Sequence, residues 1–108
     1  MKDSLKIGFI PLTDSAPLVV AKEVGFFDQY DLDVELVKEA SWSNIRDKLI
    51  FGEFDAAHML APLLISSSLG LGSVKKPLVT AYSFGLNGNA VSVSNELYAD
   101  MAAIEPEI

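Results

Sequence analysis

Apolar and polar positions change period several times along these 108 residues, and the changes outline the elements. Leu5–Ile10 is a short apolar run that stops at Pro11, the pattern of a strand buried on both faces. The loop Pro11-Leu12-Thr13-Asp14-Ser15 then offers several helix caps, and Pro17 suits a first helical turn, where its missing N–H costs nothing. A helix through Leu18, Val19, Lys22 and Glu23 should end at Gly25, with Phe26 and Phe27 packing back onto the core. Leu32–Val37 alternates Leu32, Val34 and Leu36 with Asp33 and Glu35, a period-two strand with one wet face. The next helix runs from about Trp42 to Phe51, stops at Gly52, and takes its apolar stripe from Ile45, Leu49 and Ile50.

Phe54–His58 reads as a brief third strand, followed by a helix over Met59–Leu69 with Pro62 near its start and Gly70 and Gly72 beyond its end. Leu78–Ser83 and Ala90–Val93 read as two further strands around the turn Gly85-Leu86-Asn87-Gly88. Ser94 or Asn95 caps a last helix through Leu97, Tyr98 and Met101, and the acidic end Glu105–Ile108 has no period. Strands alternating with helices predict an α/β domain with a mostly parallel sheet and helices on both faces. Ligands of such sheets bind at the carboxyl ends of strands, where Thr13, Ser15, Trp42 and His58 all fall.

Composition narrows the function. A single domain of this length can bury a core without staples. Its net charge of −7, with no basic run, argues against a nucleic-acid face. The chain has no Cys, which excludes disulfides and cysteine metal sites. No segment approaches the ~20 apolar residues of a membrane span. Asp3, Ser4 and Lys6 interrupt any leader-like run, so the sequence predicts a cytoplasmic protein; a removed leader would make it periplasmic or membrane-associated.

Little here supports catalysis. Gly70-Leu71-Gly72 follows a helix, whereas the dinucleotide fingerprint joins a strand to a helix. One His without a Gly-x-Ser-x-Gly elbow gives no nucleophilic triad, and His58 with Asp55 makes no metal site. Neither cofactor nor metal is expected. The chemistry on offer is anion binding. Trp42, the only tryptophan, stands at a helix start that Ser41 or Ser43 can cap, so an indole N–H lies near free backbone N–H groups and the positive end of a helix dipole. A Trp packed on its own helix and a capping or core His account for the same residues without a ligand.

Several runs together resemble one family: Gly8-Phe9-Ile10-Pro11-Leu12-Thr13-Asp14-Ser15-Ala16-Pro17, Gly25-Phe26-Phe27, Glu39-Ala40-Ser41-Trp42 with Arg46-Asp47-Lys48, Asp55-Ala56-Ala57-His58-Met59-Leu60-Ala61-Pro62, and Gly85-Leu86-Asn87-Gly88-Asn89. The family is the nitrate-binding group of ABC-transporter solute-binding proteins, with its bicarbonate-binding relatives and the cytoplasmic nitrate sensor of assimilation operons. The resemblance implies a type II periplasmic-binding-protein fold, in which two α/β lobes close on the ligand. It makes residues 1–108 the first lobe, with the second lobe absent from this chain. It also implies that Trp42 and Asn89 bind an oxygen of nitrate, nitrite or bicarbonate, or of a sulfonate in a transport receptor, with His58 structural or one layer behind; positions at a strand end and a helix start add Thr13, Asp14 and Ser15 to the ligand surface and place Ser41 behind it. The shorter amide at Asn89, where transporter-type members often carry Gln, looks more like the sensor branch. An antitermination regulator or an ABC permease is the implied partner.

Two other classes fit less well. The thiamine-pyrimidine synthases resemble this fold class but carry a cysteine-rich motif that is missing here. A receiver-type signalling domain needs an acidic pair after the first strand, where this chain has Pro11-Leu12-Thr13.

Overall fold

The computed structural model describes residues 3–85 and 90–107. Its centre is a three-stranded, all-parallel sheet in the order β2-β1-β3, formed by β1 (Asp3–Phe9), β2 (Leu32–Lys38) and β3 (Ala56–Ala57). Parallel neighbours require crossovers, and helices supply them: α1 (Ala16–Val24) and α2 (Phe26–Gln29) lead from β1 to β2, and α3 (Trp42–Ile50) leads to β3. α1 and α2 pack against β2, while α3 packs against β1 and β3. Two later helices, α4 (Ala61–Leu69) and α5 (Asn95–Ile104), complete the elements.

Local chemistry accounts for the boundaries. Pro17 lies in the first turn of α1, and Gly25 ends the helix with φ 88°, a left-handed conformation glycine adopts without a Cβ clash. Ser41 settles the choice of cap on α3, its hydroxyl accepting the Asn44 N–H at 3.2 Å. Ser94 caps α5 in the same way, through the Leu97 N–H at 3.1 Å. The core is built from Val34, Ile45, Ile50 and Phe54. Gly8 is needed beside it: a Cβ there would lie 2.3 Å from the Phe54 ring, closer than atoms can approach.

Four expectations change. The third strand shrinks to Ala56–Ala57 because a side chain takes over part of its ladder: the Asp55 carboxylate accepts the Lys6 N–H at 2.8 Å, and Asp55 N–H returns to the Lys6 carbonyl at 2.9 Å. Leu78–Ser83 forms no strand. Leu78 N–H donates to the Ser68 hydroxyl at 3.3 Å instead of to a neighbouring strand, and Val79 is 97% exposed. The part of Ala90–Val93 that precedes α5 likewise forms no strand, with Val91 exposed. Phe26 and Phe27 open the additional helix α2, and Phe26 stays exposed. β-prone residues make a strand only where a partner edge accepts their backbone, and among the described residues the sheet ends at β3. The radius of gyration, 18.3 Å, exceeds the about 13 Å expected of a compact chain of this length, and the longest dimension reaches 64 Å.

Candidate anion-binding corner

The carboxyl ends of β1 and β3 and the amino end of α3 meet at one corner. β1 gives way at Ile10 to a tight turn, Leu12 N–H donating to the Ile10 carbonyl at 2.7 Å. Thr13–Ser15 then forms a single 3-10 turn. Ser15 closes that turn, its N–H and its hydroxyl both donating to the Leu12 carbonyl, at 3.0 and 2.6 Å. Ser15 is buried and its hydroxyl proton is committed inward, whereas Thr13 and Asp14 face solvent.

His58 sits behind this turn, 4% exposed. Its backbone N–H donates to the Gly8 carbonyl at 2.8 Å, continuing the β1–β3 ladder by one residue. The Ile10 N–H donates to Nδ1 at 3.4 Å, so the ring hydrogen belongs on Nε2, which lies 3.2 Å from the Asp14 Oδ2. The imidazole also meets Trp42 edge to face, with centroids 5.2 Å apart at 64°, and Phe84 at 5.9 Å and 42°. Tyr82 continues the aromatic row, 5.4 Å from Phe84 at 64°. Such tilted pairs suit the ring quadrupoles.

The expected residues Trp42, Thr13, Asp14, Ser15, His58 and Ser41 are thus gathered at one end of the sheet. Asn89 lies outside the described residues. The Asp14–His58 contact and the aromatic pair Tyr82 and Phe84 were not expected. Their spacing of two, in an extended segment, was the available signal for a shared face. Asp55, by contrast, serves the backbone of β1 at the opposite end of β3, which removes it from any receiver-like role.

The charged groups near α3 are paired with one another. Glu39, at the end of β2, is 9% exposed, donates its N–H to the Phe9 carbonyl at 2.9 Å, and accepts from the Lys48 ammonium. That hydrogen bond, helped by the charges of Glu39 and Glu53 and opposed by partial burial, raises the Lys48 pKa. Lys48 also lies 5.6 Å from the centroid of the Phe54 ring. Arg46 donates to Asp47 at 3.0 Å, which lowers the Asp47 pKa against a smaller desolvation effect; the Ser73 hydroxyl adds a bond at 3.3 Å. Arg46 and Lys48 are therefore committed to carboxylates.

A groove of about 480 Å³ lies elsewhere, along β2 and α1, lined by Phe9, Val19, Lys22, Val34, Leu36 and Lys38 among others. Neither Trp42, His58 nor the Thr13–Ser15 turn lines it. Its walls mix both charge signs with apolar side chains. Among the described residues no group of three or more His, Cys, Asp or Glu is arranged to hold a metal ion, and no helix is long and apolar enough to cross a membrane.

Comparison with known proteins agrees with the fold. Residues 1–107 match the model of the NMT1-like family. The chain is 47% identical over 97 residues to the nitrate import ATP-binding protein NrtC of Synechocystis sp., covering 88% of this chain and 14% of that protein. It is 39% identical over 103 residues to the nitrate/nitrite binding protein NrtA of the same organism, covering 89% and 23%. The bicarbonate-binding protein CmpA of Synechococcus elongatus is 35% identical over 102 residues, covering 89% and 23%. The crystal structure of the periplasmic nitrate-binding protein NrtA from Synechocystis superposes with a TM-score of 0.61 at 44% identity, over 64% of this chain and 19% of that one. The chain thus spans less than a quarter of the length of each of these relatives. Its parallel sheet, its crossover helices and these similarities agree: the chain belongs to the NMT1-like family, alongside nitrate- and bicarbonate-binding proteins of the periplasmic-binding-protein fold.

Proposed function

We propose that this chain is the first lobe of a protein that binds a small oxyanion, nitrate or nitrite before bicarbonate, in the service of an ABC-type importer. The observation that carries the reading is the convergence of Trp42, His58 and the Thr13–Ser15 turn at the carboxyl end of the sheet. The names of its relatives support it. Trp42 supplies an uncharged N–H donor, and the start of α3 supplies oriented backbone N–H groups, of which Ser41 already occupies one. With Arg46 and Lys48 spent on Asp47 and Glu39, the anion meets neutral donors, which suits a weakly basic monoanion better than a dianion. A second lobe closing over the corner would exclude water and strengthen each of those contacts, so this lobe alone binds weakly. Anion binding between lobes then favours the closed state, and a permease complex that distinguishes open from closed reads the difference.

A second reading follows from the similarity to NrtC, an ATP-binding protein. This chain contains no Gly-x-x-x-x-Gly-Lys-Ser/Thr phosphate loop, so what it shares with NrtC is not the nucleotide site. In that reading the lobe belongs to a domain attached to the ATPase and reports the anion to it. A sensing role through a cytoplasmic antitermination regulator is the reading that the shorter amide at Asn89 and the interrupted leader-like run favour.

Calorimetric titration with nitrate, nitrite and bicarbonate, with sulfate as the dianion control, tests the site. Heat that saturates with a monoanion and is lost in Trp42→Phe supports it. Equal heats for sulfate and nitrate would remove the neutral-donor argument. Anion-dependent ATP hydrolysis by the protein with its native flanking sequence favours the ATPase-linked reading, and fractionation of cells expressing that protein decides between cytoplasm and periplasm.

A further inference from the structure

Chain segments far apart in sequence meet on one imidazole. The end of β1 reaches His58 through the Ile10 N–H, the Thr13–Ser15 turn through the Asp14 carboxylate, α3 through the Trp42 ring, and the 78–85 segment through Phe84. A histidine that only filled space would need neither a carboxylate that is 43% exposed nor two tilted aromatic neighbours. The Ile10 N–H reaches Nδ1 and the Asp14 Oδ2 lies 3.2 Å from Nε2, the two nitrogens that flank Cε1. Holding Nδ1 and Nε2 together fixes the plane of the imidazole, and an edge-to-face contact depends on that plane. Release at either nitrogen frees the ring to rotate, and the 64° angle to the indole goes with it.

We infer that His58 is a positioning residue that locks the Trp42 indole and the Asp14 turn into one fixed relation, so that a change at Asp14 reaches Trp42 through the imidazole. Its functional meaning rests on the oxyanion reading above, since the indole N–H is the donor being aimed. The tie itself does not need a ligand. Supporting groups of this kind set how well a first donor is oriented, in the way that outer hydrogen bonds orient the histidines of metal sites.

The sequence provides a clean probe. Trp42 is the only tryptophan, so a 15N-labelled sample gives one indole N–H resonance. In the free protein, Asp14→Ala should move that resonance by more than its linewidth. Asp14→Asn, which keeps an acceptor for Nε2, should restore it to the wild-type position. In the His58→Phe background, which keeps a ring between Trp42 and Phe84 but has no nitrogen, Asp14→Ala should no longer move it. An indole that ignores Asp14→Ala, or that moves by the same amount with and without His58, overturns the inference. Should His58→Phe fail to fold, the contrast between Asp14→Ala and Asp14→Asn still decides, because both changes fall on an exposed turn: equal shifts in the two overturn the inference, and a shift in Asp14→Ala alone supports it. Potassium nitrate added to the wild-type sample reads the separate question. No response to nitrate alongside an intact Asp14–Trp42 response refutes the oxyanion site while upholding the positioning. Nitrate binding with no Asp14–Trp42 response does the reverse.

Discussion

Gly8→Ala is the sharpest test of how the fold holds the corner. β1 is the central strand, paired with β2 on one side and β3 on the other, so its backbone has no free direction in which to yield. A Cβ at residue 8 would sit 2.3, 2.5 and 2.9 Å from three atoms of the Phe54 ring, and Phe54 is itself only 3% exposed. An overlap of about an ångström with two atoms of a buried ring, and a smaller one with a third, cannot be absorbed by rotamer adjustment alone. Overpacking of this kind costs about 1–3 kcal/mol, and we expect the upper part of that range. With a urea slope of roughly 1–3 kcal/mol per M, a loss of about 2.5 kcal/mol moves the unfolding midpoint down by about 1 M or more. The Gly8 carbonyl also accepts the His58 N–H, so the same change should disturb the single indole resonance of Trp42. Urea unfolding followed by far-UV circular dichroism measures the loss. Phe54→Leu, costly alone because it opens a cavity, should recover part of the stability when combined with Gly8→Ala, with a coupling of roughly 0.5–3 kcal/mol in the double-mutant cycle. A Gly8→Ala midpoint within experimental error of wild type, or strictly additive effects in the cycle, would refute the steric reasoning.

On the proposed oxyanion reading, Trp42→Phe in the protein with its native flanking sequence should leave the circular dichroism spectrum unchanged and weaken nitrate by about 1–3 kcal/mol, measured by calorimetry. Ser41→Ala should cost about 0.5–2 kcal/mol by removing the α3 cap and should speed hydrogen exchange at the Asn44 amide, whereas Ser43→Ala should do neither. The lowered pKa of Asp47 means that its ion pair with Arg46 contributes fully above the unfolded-state value and is lost as pH falls through the folded one; Asp47→Asn should therefore flatten the acid limb of stability against pH, read as urea midpoints. Lys48 has the opposite sign: its raised pKa contributes fully below the unfolded-state value and is lost as pH rises through the folded one, so Glu39→Gln should weaken the dependence on pH in the alkaline range.

What could be read from the residues follows a physical boundary. Gly25, Pro17 and Ser41 act locally, and each did in the fold what its type and position foretold. The alternation of Leu32–Val37 marked β2 because one face of that strand is wet. The strand expected at Leu78–Ser83 failed for a nonlocal reason: its β-prone residues pair with neither outer edge of the described sheet, and propensity does not decide pairing. β3 was overestimated for a related reason, since no periodicity reveals that the Asp55 carboxylate stands in for a strand carbonyl. At the corner, Trp42, His58 and the Thr13–Ser15 turn were legible from their positions at strand ends and helix starts. The Asp14–His58 contact spans more than forty residues and joins a turn to a strand end, which only the folded register brings together.

The place of β1 in the sheet has a consequence for synthesis. Of the three described strands β1 is made before its two partners, and it must wait for β2 and then β3 before its backbone is satisfied on both sides. Until residues as far along as His58 have emerged, its apolar run is an unpaired edge, and chaperone capture at that stage should centre on Leu5–Ile10. For the same reason removing residues 3–9 does not shorten an edge, as removing an outermost strand would. It divides β2 from β3 and leaves neither with a neighbour.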